Sequence, residues 1–381
     1  MLYRVLGKTG LNVSAFGLGV MRMPVTDPDD SKTLDFERGV EMIRYAIDHG
    51  VNYFDSAYVY HGGRSEELLG AALRDGYREK AIIATKLPLS DVKSPQDMDD
   101  MLNTSLRRLG VDQIDIYLMH GVKVDKWPNM LSMGVQAFLD RAKADGRIRF
   151  AGFSYHDSFD FFKKVLSDYD WDMTMIQLNY IDEHFQAGVE GMRHAAGKGV
   201  GVAVMEPLKG GSIVKSTPEV VRSIFDGAPV RRSLAEWAFR WVADHPEVAV
   251  VLSGSNDLPM LKDSIRILSE SPPGCMSDSD REVIKRVQTH YRDGIKVPCT
   301  GCEYCIPCPK GIPINMVFQY YNEACAMDTF ERQKQRYHKH FTSRNRDVSA
   351  CIECGECEAK CPQKIEIRKQ LKETHKMLAK A

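Results

Sequence analysis

Eight of the ten cysteines in this 381-residue chain stand in two runs within its last quarter. Cys299, Cys302, Cys305 and Cys308 are followed by Pro309, and Cys351, Cys354, Cys357 and Cys361 by Pro362, so the two texts read C-x2-C-x2-C-x2-C-P and C-x2-C-x2-C-x3-C-P. Three thiolates at two-residue intervals can curl round one cube of iron and sulfide. So short a loop does not supply the fourth ligand from the same side, which must come from elsewhere in the chain. The spacing predicts two [4Fe-4S] clusters and single-electron chemistry. The competing reading is a pair of structural zinc sites with four cysteines each. Such sites usually set paired C-x2-C knuckles apart by longer loops, not four cysteines in even succession.

The two runs resemble those of two-cluster bacterial ferredoxins, in which the fourth cysteine of each run ligates the other run's cluster and the following proline turns the chain away. The resemblance implies that Cys299, Cys302, Cys305 and Cys361 hold one cluster, and that Cys351, Cys354, Cys357 and Cys308 hold the second. The remaining cysteines, Cys275 and Cys325, stand singly, unlike the dense pairing of a disulfide-stapled secreted protein. Met1 to Leu6 shows no basic region leading into an apolar core, and no stretch reaches the roughly 18 apolar residues of a membrane span. The expected location is therefore cytoplasmic, with no membrane partner. A formal net charge of -1 gives no electrostatic attraction to nucleic acid. The basic residues Arg332, Lys334, Arg336, Lys339, Arg344 and Arg346, between the cysteine runs, read as a solvated helix face or as a docking patch for an acidic electron-transfer partner.

Upstream of the cysteines, short apolar runs alternate with amphipathic segments. Strands are expected at Phe16 to Gly19, Val51 to Asp55, Ala81 to Lys86, Ile114 to His120, Phe150 to Ser154, Met175 to Asn179, Val200 to Met205 and Val248 to Ser253. Helical text separates them, for example Arg38 to His49, Ser65 to Arg74, Pro95 to Leu109, Val189 to Gly199 and Arg231 to Asp244. A hairpin from Tyr3, turning at Gly7-Lys8-Thr9-Gly10, precedes the first. Eight strands separated by helices fit an α/β fold of the (β/α)8 TIM-barrel kind, which typically needs about 250 residues. No G-x-G-x-x-G follows a first strand, as an open dinucleotide-binding sheet would have it. Ser271-Pro272-Pro273-Gly274 marks a boundary, giving a barrel over 1–272, then a linker helix and a small helical, ferredoxin-like iron-sulfur domain over 273–381.

In such a barrel the chemistry gathers at the C-terminal ends of the strands. Asp55, Lys86 and His120 close three of the expected strands, and Tyr60 follows Asp55 by one turn of loop. With their contexts, Asn52-Tyr53-Phe54-Asp55-Ser56-Ala57-Tyr58-Val59-Tyr60, Ser65-Glu66-Glu67-Leu68-Leu69-Gly70, Ala84-Thr85-Lys86 and Asp115-Ile116-Tyr117-Leu118-Met119-His120, they resemble the Asp, Tyr, Lys, His tetrad of the aldo-keto reductase superfamily over roughly residues 3 to 270. The chemistry explains why these types occur together. A phenol with an ordinary pKa of roughly 10 is a poor acid at neutral pH, and a neighbouring ammonium favours its charged form. Lys86 is expected to lower Tyr60 in this way and Asp55 to keep the lysine charged. His120 is expected to hydrogen-bond the substrate oxygen, and Tyr60 to pass a proton to or from a carbonyl or alcohol as hydride moves.

The same resemblance implies a nicotinamide cofactor, NAD(P)H, and residues to hold it. Ser154 and Gln177, with Asn179 in the same segment, match the positions that meet the carboxamide, although Tyr155 stands where the family has an asparagine. Met205 takes the place of the aromatic ring that stacks on the nicotinamide, and methionine can still pack against an aromatic face. Ser253, Gly254 and Ser255 align with the phosphate-binding turn and Asp263 with the adenine-contacting acid. Gly254 and Met260 stand where the family has the lysine and arginine that grip a 2′-phosphate. Nicotinamide passes two electrons at once and a cubane cluster one, so direct exchange needs a go-between such as a flavin. Three accounts are therefore open. The barrel is a carbonyl reductase linked by its clusters to a flavin or an electron-transfer protein, or it is one with structural clusters, or it is a redox-sensing binding module. The substrate class is a small carbonyl or alcohol.

Overall fold

The computed structural model describes residues 1–299, 301 and 303–379, so Cys302 lies outside the described residues. Two compact units emerge. The first takes Met1–Gly211 and Ser233–Ser277; the second takes Ser212–Arg232 and the chain from Asp278 onward.

In the first unit, β1 (Tyr3–Val5) and β2 (Asn12–Ser14) form an antiparallel hairpin. β3 (Phe16–Gly19), β4 (Tyr53–Asp55), β5 (Ile82–Pro88), β6 (Ile114–Val122), β7 (Ile148–Tyr155), β8 (Met173–Gln177), β9 (Gly201–Met205) and β10 (Val248–Ser253) close a parallel barrel, with β10 returning to pair with β3. A helix follows every barrel strand: Phe36–Asp48, Arg64–Ala72, Pro95–Leu109, Val135–Ala144, Phe159–Asp168, Gly188–Gly197, Leu234–Ala243 and Leu258–Ser269. Helices outside and side chains inside bury both faces of each strand, and for that reason the strands read as continuous apolar runs rather than alternating ones. Local chemistry sets the helix starts. Asp35, Ser158, Ser233 and Asp257 each accept a backbone N–H of the first turn, and Ser94 with Asp97 forms a capping box ahead of Pro95.

The hairpin plugs one end of the barrel. Leu6, Leu11 and Val13 join an interior cluster with Tyr53, Ile116 and Met173, and Lys8 N–H bonds Gly199 O at 2.7 Å. Gly7 has φ +50, and a Cβ there would meet Gly199 O at 2.5 Å, so only glycine fits this approach to the foot of β9. One strand lies two residues earlier than its sequence suggests, at Met173–Gln177 rather than Met175–Asn179. The Asn179 side chain takes the backbone N–H groups of Ile181 and Asp182 and turns the chain out of the sheet.

The second unit is helical, with Asp278–Asp293, Ile314–Met327, Phe330–His340 and Ile367–Leu378 as its longer helices. Its core gathers Val297, Ile312, Phe318, Tyr337, Phe341, Cys361 and Leu371, and Cys299, Cys305, Cys308, Cys351 and Cys357 pack against it. Ser212–Arg232, from the stretch between β9 and the helix Leu234–Ala243, also belongs here, a division that a cut near residue 272 does not describe. The helix Glu219–Asp226 buries Val221 and Phe225 and packs on Asp278–Asp293. Arg232 makes a bidentate pair with Asp280 at 2.6 and 3.2 Å. The basic run is partly engaged rather than wholly solvated, since Arg336 pairs with Glu323 at 3.1 Å and lies over the Tyr320 ring.

Candidate active site and cluster cradle

Strand register brings the four tetrad positions together. Asp55 ends β4 opposite Ala84, two residues before Lys86 on β5, and His120 on β6 pairs with Pro88, two residues beyond Lys86. Tyr60 opens a turn, Tyr60–Gly63, in which His61, Gly62 and Gly63 all have positive φ, reversing the chain into the helix Arg64–Ala72.

Lys86 is 1% exposed and Asp55 5%. The Lys86 ammonium has three N–H groups and three partners: Asp55 Oδ1 at 2.6 Å, Ser56 O at 2.6 Å and Tyr60 OH at 3.3 Å. It also stands 4.7 Å from the centre of the Tyr60 ring. The rings of Tyr60 and His120 meet edge to face with centres 5.7 Å apart. Burial works against the charge on Lys86, but Asp55 and Tyr60 outweigh it and hold the lysine above its ordinary pKa. Tyr60 departs from the expectation that Lys86 would lower it. Burial pushes the phenol up, and the pull of the ammonium offsets only part of that. Burial, then the charge of Lys86, takes His120 down to about 3, so its ring is neutral.

A buried layer behind these groups has no counterpart in the expectations from sequence. Glu66, fully buried, accepts from Thr85 Oγ1 at 2.7 Å and from Arg108 Nη1 at 3.1 Å. Arg108 also donates to Tyr58 O at 3.0 Å and stacks on the Tyr58 ring, fixing the loop that carries Tyr60. Its signal in the sequence was a glutamate on the core face of the helix that begins Arg64-Ser65-Glu66.

The residues matched to a cofactor are placed unevenly. Ser154 is buried, and its Oγ accepts Gly121 N–H at 2.8 Å, leaving its own proton to donate. Gln177 stands in register with Met205, both at strand ends. Gln177 and Asn179 each donate an amide N–H to Asp182 Oδ2, at 3.3 and 3.2 Å. Ser253 ends β10, Gly254 is exposed beside the Arg22 side chain, and the Ser255 hydroxyl faces that of Ser264 at 3.4 Å. Asp263 lies on the barrel's outer helix, paired with Arg266 at 2.8 Å. Tyr155, in place of the family's asparagine, is buried among Phe153, Phe161 and Phe162 and donates its hydroxyl to Ser158 O, so it offers nothing to a ligand.

Residues 15–273 match the aldo/keto reductase family. The chain belongs to that family. Residues 298–366 match a 4Fe-4S dicluster domain. Among similar proteins, "Probable aldo-keto reductase 1" of Glycine max is 33% identical over 157 residues, which span 39% of this chain and 43% of that one. Among solved structures, the holo form of aldo-keto reductase AKR11C1 from Bacillus halodurans is 25% identical with a TM-score of 0.64, covering 75% of this chain and 96% of that one. An aldo-keto reductase from Klebsiella pneumoniae in complex with NADPH shares the fold at 21% identity and a TM-score of 0.60, covering 76% and 96%.

In the second unit the cysteines line two cavities, of about 450 and 340 Å³ including space open to solvent. Cys308, Cys351, Cys354 and Cys357 line the larger, with Cys305 also at its wall. Cys299, Cys305 and Cys361 line the smaller, and Cys302, expected in the same set, lies outside the described residues. The last cysteine of each run thus lines the cavity of the other run. Among the described residues no three ligand-type side chains converge on a single ion; the sulfurs stand around a space instead. Thiolate donors around an apolar-walled cavity, with Ile312 and Leu371 on one and Phe318 and Ile367 on the other, fit a metal-sulfide cube.

Proposed function

We propose that the barrel reduces a small carbonyl compound, or oxidises the corresponding alcohol, with a nicotinamide dinucleotide, and that the second unit carries two [4Fe-4S] clusters for single-electron exchange. The observation that carries the barrel reading is the Lys86 ammonium, held by Asp55 and Ser56 with its third N–H on the Tyr60 oxygen. A bound reduced nicotinamide supplies the hydride. Tyr60, kept protonated by its burial, donates its proton to the carbonyl oxygen as that oxygen gains charge, and Lys86 stabilises the phenolate left behind. His120, neutral, directs one ring N–H at the same oxygen without adding a charge. Asp55 is the counter-charge that keeps Lys86 an ammonium.

The nicotinamide reading rests on the donor set for a primary amide. Ser154 has a free hydroxyl proton for the carboxamide oxygen. Gln177 is 3% exposed, and its Oε1 is buried without a partner among the described residues, an acceptor for the carboxamide N–H. Met205, in register with Gln177, offers a packing surface for the ring.

For the clusters we assign Cys299, Cys302, Cys305 and Cys361 to one and Cys308, Cys351, Cys354 and Cys357 to the other, supported by the crossed lining of the cavities. Cys354 and Ile352 are exposed at the larger cavity, which favours electron exchange with a protein partner over a purely structural role. The test is an anaerobic preparation of the whole chain. Expected are about eight irons per chain, a visible spectrum bleached by dithionite, and carbonyl-dependent oxidation of NADH or NADPH that Tyr60→Phe abolishes. Turnover unaffected by Tyr60→Phe would overturn the barrel reading, and iron near zero would overturn the cluster reading.

A further inference from the structure

Asp182 lies in the loop after β8, outside every position matched to the family. One of its carboxylate oxygens, Oδ2, is the meeting point of three donors: Gln177 Nε2 at 3.3 Å, Asn179 Nδ2 at 3.2 Å and the Lys209 ammonium. A carboxylate can only accept hydrogen bonds, so the amide nitrogen of each neighbour must face it. The network thereby decides an orientation that an amide side chain does not have by itself. Asn179 is fixed at both ends, because its oxygen already takes the backbone N–H groups of Ile181 and Asp182. Gln177 is fixed at one end only. With its nitrogen on Asp182, its oxygen is turned the other way, 3% exposed as a residue and without a partner among the described residues. Leaving a buried acceptor unmatched is costly, and the site is complete when a donor from outside meets it. Lys209 forms an ion pair with Asp182; it comes from the loop after β9, where it sits in a left-handed backbone conformation, φ +48.

We infer that Asp182, held by Lys209, is a positioning residue that presents Gln177 as an obligate acceptor, so that the site selects a ligand bearing an N–H at that point, the primary carboxamide of a nicotinamide. This rests on the nicotinamide reading above. It adds that recognition of the amide resides in an ion pair on two loops rather than in Gln177 itself. Without the Asp182 carboxylate as acceptor, the Gln177 amide can turn over and present its NH2 instead, and selectivity goes while the fold remains.

The test is equilibrium binding rather than turnover. The full chain with its clusters, and its Asp182→Asn and Asp182→Ser variants, are titrated with NADH and NADPH and with their 3-acetylpyridine analogues, in which a methyl group replaces the amide NH2. The unchanged protein should bind the carboxamide forms about tenfold more tightly than the analogues, the scale of one buried acceptor left unmatched. In both variants that preference should fall to within about twofold, with the pH dependence of turnover unmoved. A folded variant that keeps the original preference would overturn the role of Asp182 and leave nicotinamide binding intact. Equal binding of amide and analogue by the unchanged protein would also overturn it. No binding of any of the four dinucleotides would overturn the nicotinamide reading and this inference with it.

Discussion

The mouth of the barrel and the cradle of cysteines handle reactive groups in opposite ways. In the barrel, Asp55 and Lys86 are buried on strands and Tyr60 is half-buried one turn away, and the Lys86 ammonium bonds both of the others, so the site is assembled by the same register that closes the sheet. In the second unit the described cysteines of the two runs sit on loops and short turns, half-buried for the most part, and line two cavities. The tetrad is set in place by strand register, whereas the cysteines are set in place by loops whose spacing suits a metal-sulfide body. The two sites, built by different elements, should therefore fail independently.

Substitution of the barrel groups gives the largest expected effect. Lys86→Met or Tyr60→Phe should lower carbonyl turnover by about 10²–10⁴-fold while iron content and the visible spectrum stay as they were; loss of iron in either variant would break the independence. Next are the crossed ligands. Cys308→Ser and Cys351→Ser stand in different runs but should each remove the same cluster, about half the iron, with the same species missing from the reduced paramagnetic spectrum and carbonyl turnover retained. Different losses from the two variants would contradict the crossing.

Smaller is the effect of the layer behind Tyr60. Arg108→Met strands the buried Glu66 carboxylate and should cost about 3 kcal/mol of stability in denaturant unfolding, with turnover reduced less than by Tyr60→Phe. Adding Glu66→Gln should restore most of the stability. Smallest is a pH effect. His120 takes a proton near 6.5 when unfolded and only at about 3 when folded. Its contribution to stability is complete above pH 6.5 and is lost as pH falls toward 3. Between pH 8 and pH 5 its ring should stay neutral by nuclear magnetic resonance, and His120→Gln should flatten the acid side of the stability curve.

Most of the barrel was legible because parallel strands covered on both faces leave continuous apolar text, and because Asp55, Lys86 and His120 fall at the ends of such runs. The cysteine spacing was legible because cluster ligation dictates it. Other features depend on distance in three dimensions and leave no local mark. Lys86 pulls the Tyr60 phenol down, as proximity suggests, but the net direction depends on how deeply the ring is buried, which a sequence does not state. Asp182 stands three residues beyond Asn179 with no motif around it, and only the approach of Lys209 from the next loop makes it a hub. Glu66 and Arg108 are 42 residues apart and read separately as a helix-start acid and a helix-end base. The helix Glu219–Asp226 is amphipathic like a barrel helix, so its pattern did not say which core its Val221 and Phe225 enter.

That last helix bears on how such a molecule can be inherited or rebuilt. The polypeptide leaves its first unit after Gly211, contributes a helix and Arg232 to the second, and goes back before crossing again at Asp278. A module joined through a single covalent junction could be gained or shed in one recombination event. This one is laced in at two separate stretches of chain, so lending it to another host would require a graft in the middle of the gene as well as at its tail.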